Sequence, residues 1–168
     1  MAANIVTTPA GENWFSISRT FEAPRRLVYK CYTEPQHMAH FWGPRGATLE
    51  VCTIDLKVGG VWRIRWRFAN GDGWGYASVY LDIVANEKLH YRDAPYDWAG
   101  GLDGLPPIDL LSTIALSDTP SGGTQVLVKV ECVSVAARDE TVRRGFAGMV
   151  GVGHDRLAEY LLTLPKEA

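Results

Sequence analysis

The sequence predicts an α+β fold in which a curved sheet grips one long C-terminal helix. Three observations predict it. Runs of alternating apolar and polar residues recur from Trp14 to Val133, separated by Gly- and Asn-containing turn signals. Between Arg138 and Leu164 the period changes: Val142, Phe146, Met149, Val150, Leu157, Tyr160, Leu161 and Leu164 recur at three- and four-residue spacings, the stripe of an amphipathic helix. Two prolines, Pro24 and Pro35, open two short helices after the first strand.

Taken in order, residues 1–12 read as a flexible N-terminal tail and 13–165 as one domain. Trp14 to Phe21 forms the first strand, with Phe15, Ile17 and Arg19 on one face. Pro24 begins a helix through Leu27, Val28, Cys31 and Tyr32, which stops near Glu34 because the residue before Pro35 is pushed out of the helical region. Pro35 opens a second helix carrying Met38, Phe41 and Trp42, ended by Gly43-Pro44. From Thr48 the pattern is β. Leu49, Val51 and Thr53 alternate with Glu50, Cys52 and Ile54. Gly59-Gly60 turns the chain into Val61–Phe68, where Trp62, Ile64, Trp66 and Phe68 face one way and Arg63, Arg65 and Arg67 the other. Asn70-Gly71-Asp72-Gly73 is a hairpin turn leading to Trp74–Val84. Asn86-Glu87-Lys88 turns that strand into Leu89–Asp93. Residues 94–107 form a long loop with Tyr96 and Trp98, in the manner of a lid or contact surface. Ile108–Leu116 and Thr124–Val133 make the last hairpin, and Asp139 stands as N-cap of the final helix.

That helix contains Gly145, Gly148, Gly151 and Gly153. Each glycine inside a helix costs about 1 kcal/mol relative to Ala. The segment therefore needs support from the sheet around it, and its glycines leave volume against the aromatic row of Trp62, Trp66 and Phe68. A hollow of this kind is the usual shape of an apolar ligand site.

The composition excludes several classes. Net charge is −2, which gives no global case for nucleic acid, and the interleaved arginines read as the outer sheet face. No window approaches a membrane span, and the N-terminus has no signal-peptide pattern; the reading is a cytoplasmic protein without membrane insertion. Cys31, Cys52 and Cys132 form no CxxC and no disulfide framework. His37-x-x-His40 lacks further ligands for zinc, so no metal and no cofactor are expected. No nucleophile elbow or phosphate loop is present.

With those residues in order, the chain resembles the START-like (helix-grip, SRPBCC-type) superfamily, in the branch named after the activator of the heat-shock-protein 90 ATPase. The resemblance is carried by Arg19-Thr-Phe-Glu-Ala-Pro, Leu27-Val28, Thr33-Glu-Pro, Phe41-Trp-Gly-Pro and Ile54-Asp-Leu-Lys-Val-Gly-Gly-Val-Trp62. It continues through Tyr80-x-Asp82-Ile83, Gly123-Thr124, Gly145-Phe146 and Leu157. It implies a seven-stranded antiparallel sheet curled round the last helix and a cavity between them. Relatives bind lipids, sterols or polyketides, and some are cyclases or dehydratases.

The expected function is binding of an apolar or aromatic, lipid- or polyketide-like molecule, with Trp42, Trp66, Tyr80, Tyr91, Phe146, Met149 and His154 lining the cavity. Two alternatives stand beside it. One is a cyclase- or dehydratase-type enzyme in which His154 or a tyrosine moves protons. The other is a chaperone-interacting module using loop 94–107 and the outer arginines. Trp98 and the loop leucines also suggest a homodimer.

Overall fold

A computed structural model describes residues 2–107 and 110–165. Eight strands form one antiparallel sheet: β1 (Ile5–Thr7), β2 (Trp14–Phe21), β3 (Thr48–Ile54), β4 (Val61–Arg67), β5 (Gly73–Val84), β6 (Lys88–Ala94), β7 (Leu110–Asp118) and β8 (Thr124–Cys132). Their spatial order is β1-β2-β8-β7-β6-β5-β4-β3. Two short helices, α1 (Arg25–Thr33) and α2 (Pro35–Met38), link β2 to β3. Two more follow the sheet, α3 (Val135–Arg143) and α4 (Phe146–Leu161).

This is the expected α+β helix-grip arrangement, with one strand more than the expected seven. The extra strand lies in the predicted tail, where Ile5–Thr7 pairs with Ser16–Ser18 of β2. Three residues with all side chains exposed leave no burial pattern to read. The pairing comes from the free edge that β2 offers. The start of the last hairpin, expected at Ile108, lies outside the described residues, which pick up β7 at Leu110.

The single long C-terminal helix is corrected to two. Ser134, not Asp139, is the first N-cap: its Oγ accepts from the Ala137 N–H at 3.0 Å. Gly145 then takes φ +93°, a left-handed conformation open to glycine, and ends one helix before the next begins. In β3 a bulge between Leu49 and Val51 shifts the register, so that Leu49 joins Cys52 and Ile54 in packing against the core although strict alternation would put it on the other face.

The core fills the inner face. Phe15, Ile17, Trp62, Ile64, Tyr80 and Ile114 from the sheet meet Leu27, Val28 and Tyr32 of α1 and Leu157 and Leu161 of α4. The outer face is covered in part by residues 94–107. Arg63 donates to the carbonyls of Tyr96 and Trp98, and Arg92 to that of Pro106. The guanidinium carbons of Arg63 and Arg65 each lie 5.8 Å from the centre of the Tyr96 ring. Ala77 and Val79, whose alternation puts them on this outer side, are fully buried. Loop 94–107 therefore roofs the back of the sheet.

Candidate functional site

Between sheet and α4 lies a hollow of about 180 Å3. That is less than the few hundred Å3 common for ligand sites. Its wall begins on β4, where Trp66 is held by a close backbone approach. The Trp66 indole N–H donates to the carbonyl of Trp42 at 3.2 Å. This contact needs Gly43: a Cβ there would sit 2.3 Å from Trp66 Nε1, and its φ is +103°. The Trp42 indole N–H in turn donates to the Tyr76 hydroxyl at 2.9 Å. The Phe41-Trp-Gly-Pro turn thus hooks α2 to the aromatic wall at two points.

At the mouth, Trp74 stacks on Trp66 with ring centres 5.4 Å apart and planes 9° from parallel, and Tyr76 leans on both. Trp74 is 51% and Met149 41% exposed, so the hollow opens to solvent between β5 and α4. Asp93 lines the same opening. Deeper in, Tyr91 pairs across the ladder with Ser112, and both line the hollow. Burial raises the hydroxyl pKa of Tyr76 and Tyr91, the latter also through the charge of Asp93, so both remain protonated donors.

His154 of α4 forms the other polar wall. It is 2% exposed, and Phe21 meets its ring edge-on. Its Nδ1 lies 3.2 Å from Asn4 Oδ1, while Asn4 Nδ2 donates to the Gly151 carbonyl and to Asp155. Because the Asn4 amide nitrogen faces two acceptors, its oxygen faces the histidine. The proton therefore sits on Nδ1, which leaves Nε2 a bare acceptor without a partner among the described residues. Burial lowers the imidazole pKa to about 4, helped by nearby Arg19 and opposed by Asp155. The ring is neutral at physiological pH.

The structure brings six of the seven expected lining residues together: Trp42, Trp66, Tyr91, Phe146, Met149 and His154. Tyr80 is not among them. It stacks on Trp62 at 6.1 Å, and Trp62 stands against Trp42 and Tyr91, so Tyr80 lies one aromatic layer behind the wall. Its hydroxyl, Ser78 Oγ and Trp62 Nε1 are buried without a hydrogen-bond partner among the described residues.

The idea that the glycines of α4 hold the hollow open is corrected as well. Gly148 faces open space and Gly151 receives Asn4, while Gly153 alone of the four lines the hollow. On the sheet side the space is bounded by Trp66, which Gly43 lets lean on the Trp42 carbonyl.

Tyr32, Trp74, Tyr76 and Asp93 line the hollow beside the expected residues. Tyr76 shares parity with Ser78 and Tyr80, Asp93 shares it with Tyr91, and Trp74 faces Trp66 once the hairpin register is known. His37 and His40 hold Tyr160: His37 Nδ1 lies 2.7 Å from its hydroxyl, and His40 stacks on its ring at 4.3 Å. Among the described residues no group of His, Cys, Asp and Glu is placed to hold a metal ion, and no helix is long and apolar enough to cross a membrane.

Comparison with known proteins follows this geometry. The model of the family described as activator of Hsp90 ATPase homolog 1-like proteins matches residues 22–162. A crystal structure of a protein from Nitrosomonas europaea superposes with a TM-score of 0.81 at 20% identity, covering 93% of this chain and 97% of that one. A protein from Mycobacterium smegmatis gives 0.81 at 16% identity, covering 97% and 99%. The AHSA1-like protein from Aeromonas hydrophila gives 0.67 at 16% identity, covering 89% and 92%. At these identities the structures share the fold alone. Among curated proteins none matches.

Proposed function

We propose that this chain, which belongs to the family of activator of Hsp90 ATPase homolog 1-like proteins, encloses a compact aromatic or apolar small molecule between its sheet and α4. One observation carries the reading. Six side chains chosen from the sequence as a ligand lining converge, from β4, β6, α4 and the turn after α2, on one hollow that opens to solvent. The small volume favours a ring system over a long acyl chain. Burial of ligand surface, at about 25 cal/mol per Å2, supplies most of the affinity, and Ser112 and His154 supply polar anchors.

The test is thermal stability and Trp fluorescence across neutral bicyclic aromatics such as 1-naphthol, with V150W as control. Binding should raise Tm and quench fluorescence in the natural protein. V150W, which fills the space from α4, should fold yet lose both responses. No response from any compound would overturn the reading.

A cyclase- or dehydratase-type enzyme is the second reading, favoured by the neutral imidazole of His154 at the cavity wall, whose Nε2 has no partner among the described residues and can accept a hydrogen bond from a bound ligand, although burial keeps it a weak base. H154Q should then abolish turnover of a bound ligand while sparing its affinity. The chaperone-module alternative draws less support, because Arg63 and Arg65 are engaged with Tyr96 and Arg67 with Glu50.

A further inference from the structure

One side chain of the lining can hydrogen-bond in one sense only. The hydroxyls of Tyr91 and Ser112 rotate and can donate or accept, so they discriminate little between ligands. The indoles of Trp42 and Trp66 are occupied, the first donating to the Tyr76 hydroxyl and the second to the Trp42 carbonyl. His154 differs. Its ring is 2% exposed, with one nitrogen committed and one open.

The commitment comes from the N-terminal segment. The Asn4 amide turns its nitrogen to the Gly151 carbonyl and Asp155, and its oxygen to His154 Nδ1, 3.2 Å away. Gly151 admits the amide, since a Cβ there would stand 3.2 Å from Asn4 Nδ2. Nδ1 therefore keeps the proton, and Nε2, at the tip of the ring and away from Asn4, presents a lone pair. Among the described residues nothing donates to it. Arg19, whose charge reaches the ring, pairs with Asp155 instead. A buried acceptor left unpaired costs free energy that a bound donor recovers. A carbonyl or ether oxygen brought there would set one lone pair against another.

We infer that the ligand is a phenol, or a similar ring bearing an O–H or N–H donor, that presents this donor to His154 Nε2, with Asn4 as the positioning residue that makes the site reject acceptors. This rests on the enclosed-ligand reading above and names the ligand's class. The hydrogen bond is neutral, because burial leaves the imidazole too weak a base to take the proton of a phenol.

The test compares 1-naphthol with 1-methylnaphthalene, which has nearly the same size without the donor, and with 1-methoxynaphthalene, which offers only an acceptor. Water holds naphthol back more strongly than the other two, so a preference for it requires a polar partner inside the protein. Calorimetry should show naphthol binding about tenfold more tightly than the methyl compound, and the ether most weakly. Nitrogen shifts of the His154 ring should show Nε2 moving when naphthol is added, with Nδ1 still protonated, and staying in place with methylnaphthalene. H154L should erase the preference for naphthol while still binding the methyl compound, and N4A should reduce it severalfold. Should H154L fail to fold, the Nε2 shift in the natural protein decides. Equal affinities for naphthol and the methyl compound, an ether that binds best, an Nε2 shift unmoved by naphthol, or a preference untouched by both substitutions would overturn this inference and leave the enclosed-ligand reading standing. No binding of any probe would overturn both.

Discussion

Asn4 and His154 meet 150 residues apart in the chain, with Asn4 Oδ1 3.2 Å from His154 Nδ1. The same amide bonds the Gly151 carbonyl and Asp155, and Asp155 pairs with the buried Arg19. A residue from the N-terminal segment thereby fixes both the tautomer and the orientation of the one histidine in the cavity wall. Asn4→Ala should cost about 1–2 kcal/mol in urea unfolding. It should also release the tautomer: nitrogen shifts of the His154 ring should report Nδ1–H alone in the natural protein and a mixture in the variant. Unchanged shifts would separate Asn4 from His154.

The buried imidazole also sets a pH response. Its folded pKa of about 4 lies below the ordinary 6.5, owing to burial first and Arg19 second, against the pull of Asp155. The unfolded chain therefore takes up this proton first. Stability from this group is complete above about pH 6.5 and is lost as pH falls towards 4. The shift corresponds to roughly 3 kcal/mol. Urea midpoints measured from pH 7 to pH 4 should fall, and H154Q should flatten that slope. Equal slopes in the two proteins would remove His154 as its source.

Tyr80 offers an unusual substitution. Its hydroxyl is fully buried with no partner among the described residues, a cost of about 1–3 kcal/mol for the folded state. Tyr80→Phe should therefore raise stability by about 1 kcal/mol and leave ligand affinity alone, since the ring stands behind Trp62. A lower denaturation midpoint would reveal a partner for the hydroxyl.

Gly43→Ala should do the opposite. The left-handed backbone alone costs a side chain about 1–3 kcal/mol, and the added Cβ displaces the Trp66 indole. Loss of stability should come with a changed near-UV spectrum and weaker ligand binding. A variant with the natural spectrum would show that Trp66 is held by other means.

Arg63 ties residues 94–107 to the back of the sheet through two backbone carbonyls. Arg63→Ala should make the loop cleave several times faster under limited proteolysis, with cavity binding intact because no residue of the loop lines the hollow. Parallel loss of binding would link the outer face to the inner one.

Much of this was legible in the chain. Trp14–Phe21, Thr48–Ile54 and Val61–Arg67 are long alternating runs bounded by turn residues, and a sheet with one buried face enforces that alternation. Pro24 and Pro35 mark the helix pair because proline fits only a helix's first turn. Trp42, Trp66, Tyr91 and His154 could be chosen because they are large or polar residues on inward parities. The bulge at Leu49/Val51 was hidden, since one extra residue leaves no mark in composition. So was strand β1, too short and too exposed to show a period.

What the amino-acid order determined by itself was which side chains turn inward, because side-chain direction follows from local backbone periodicity. Only the folded chain decided which of them reach an empty space, as with Tyr91 at the wall and Tyr80 one layer behind it. That choice depends on a glycine that lets Trp66 lean on Trp42, and on an asparagine brought from the far end of the chain. These are distances between residues remote in sequence, and no local pattern encodes them.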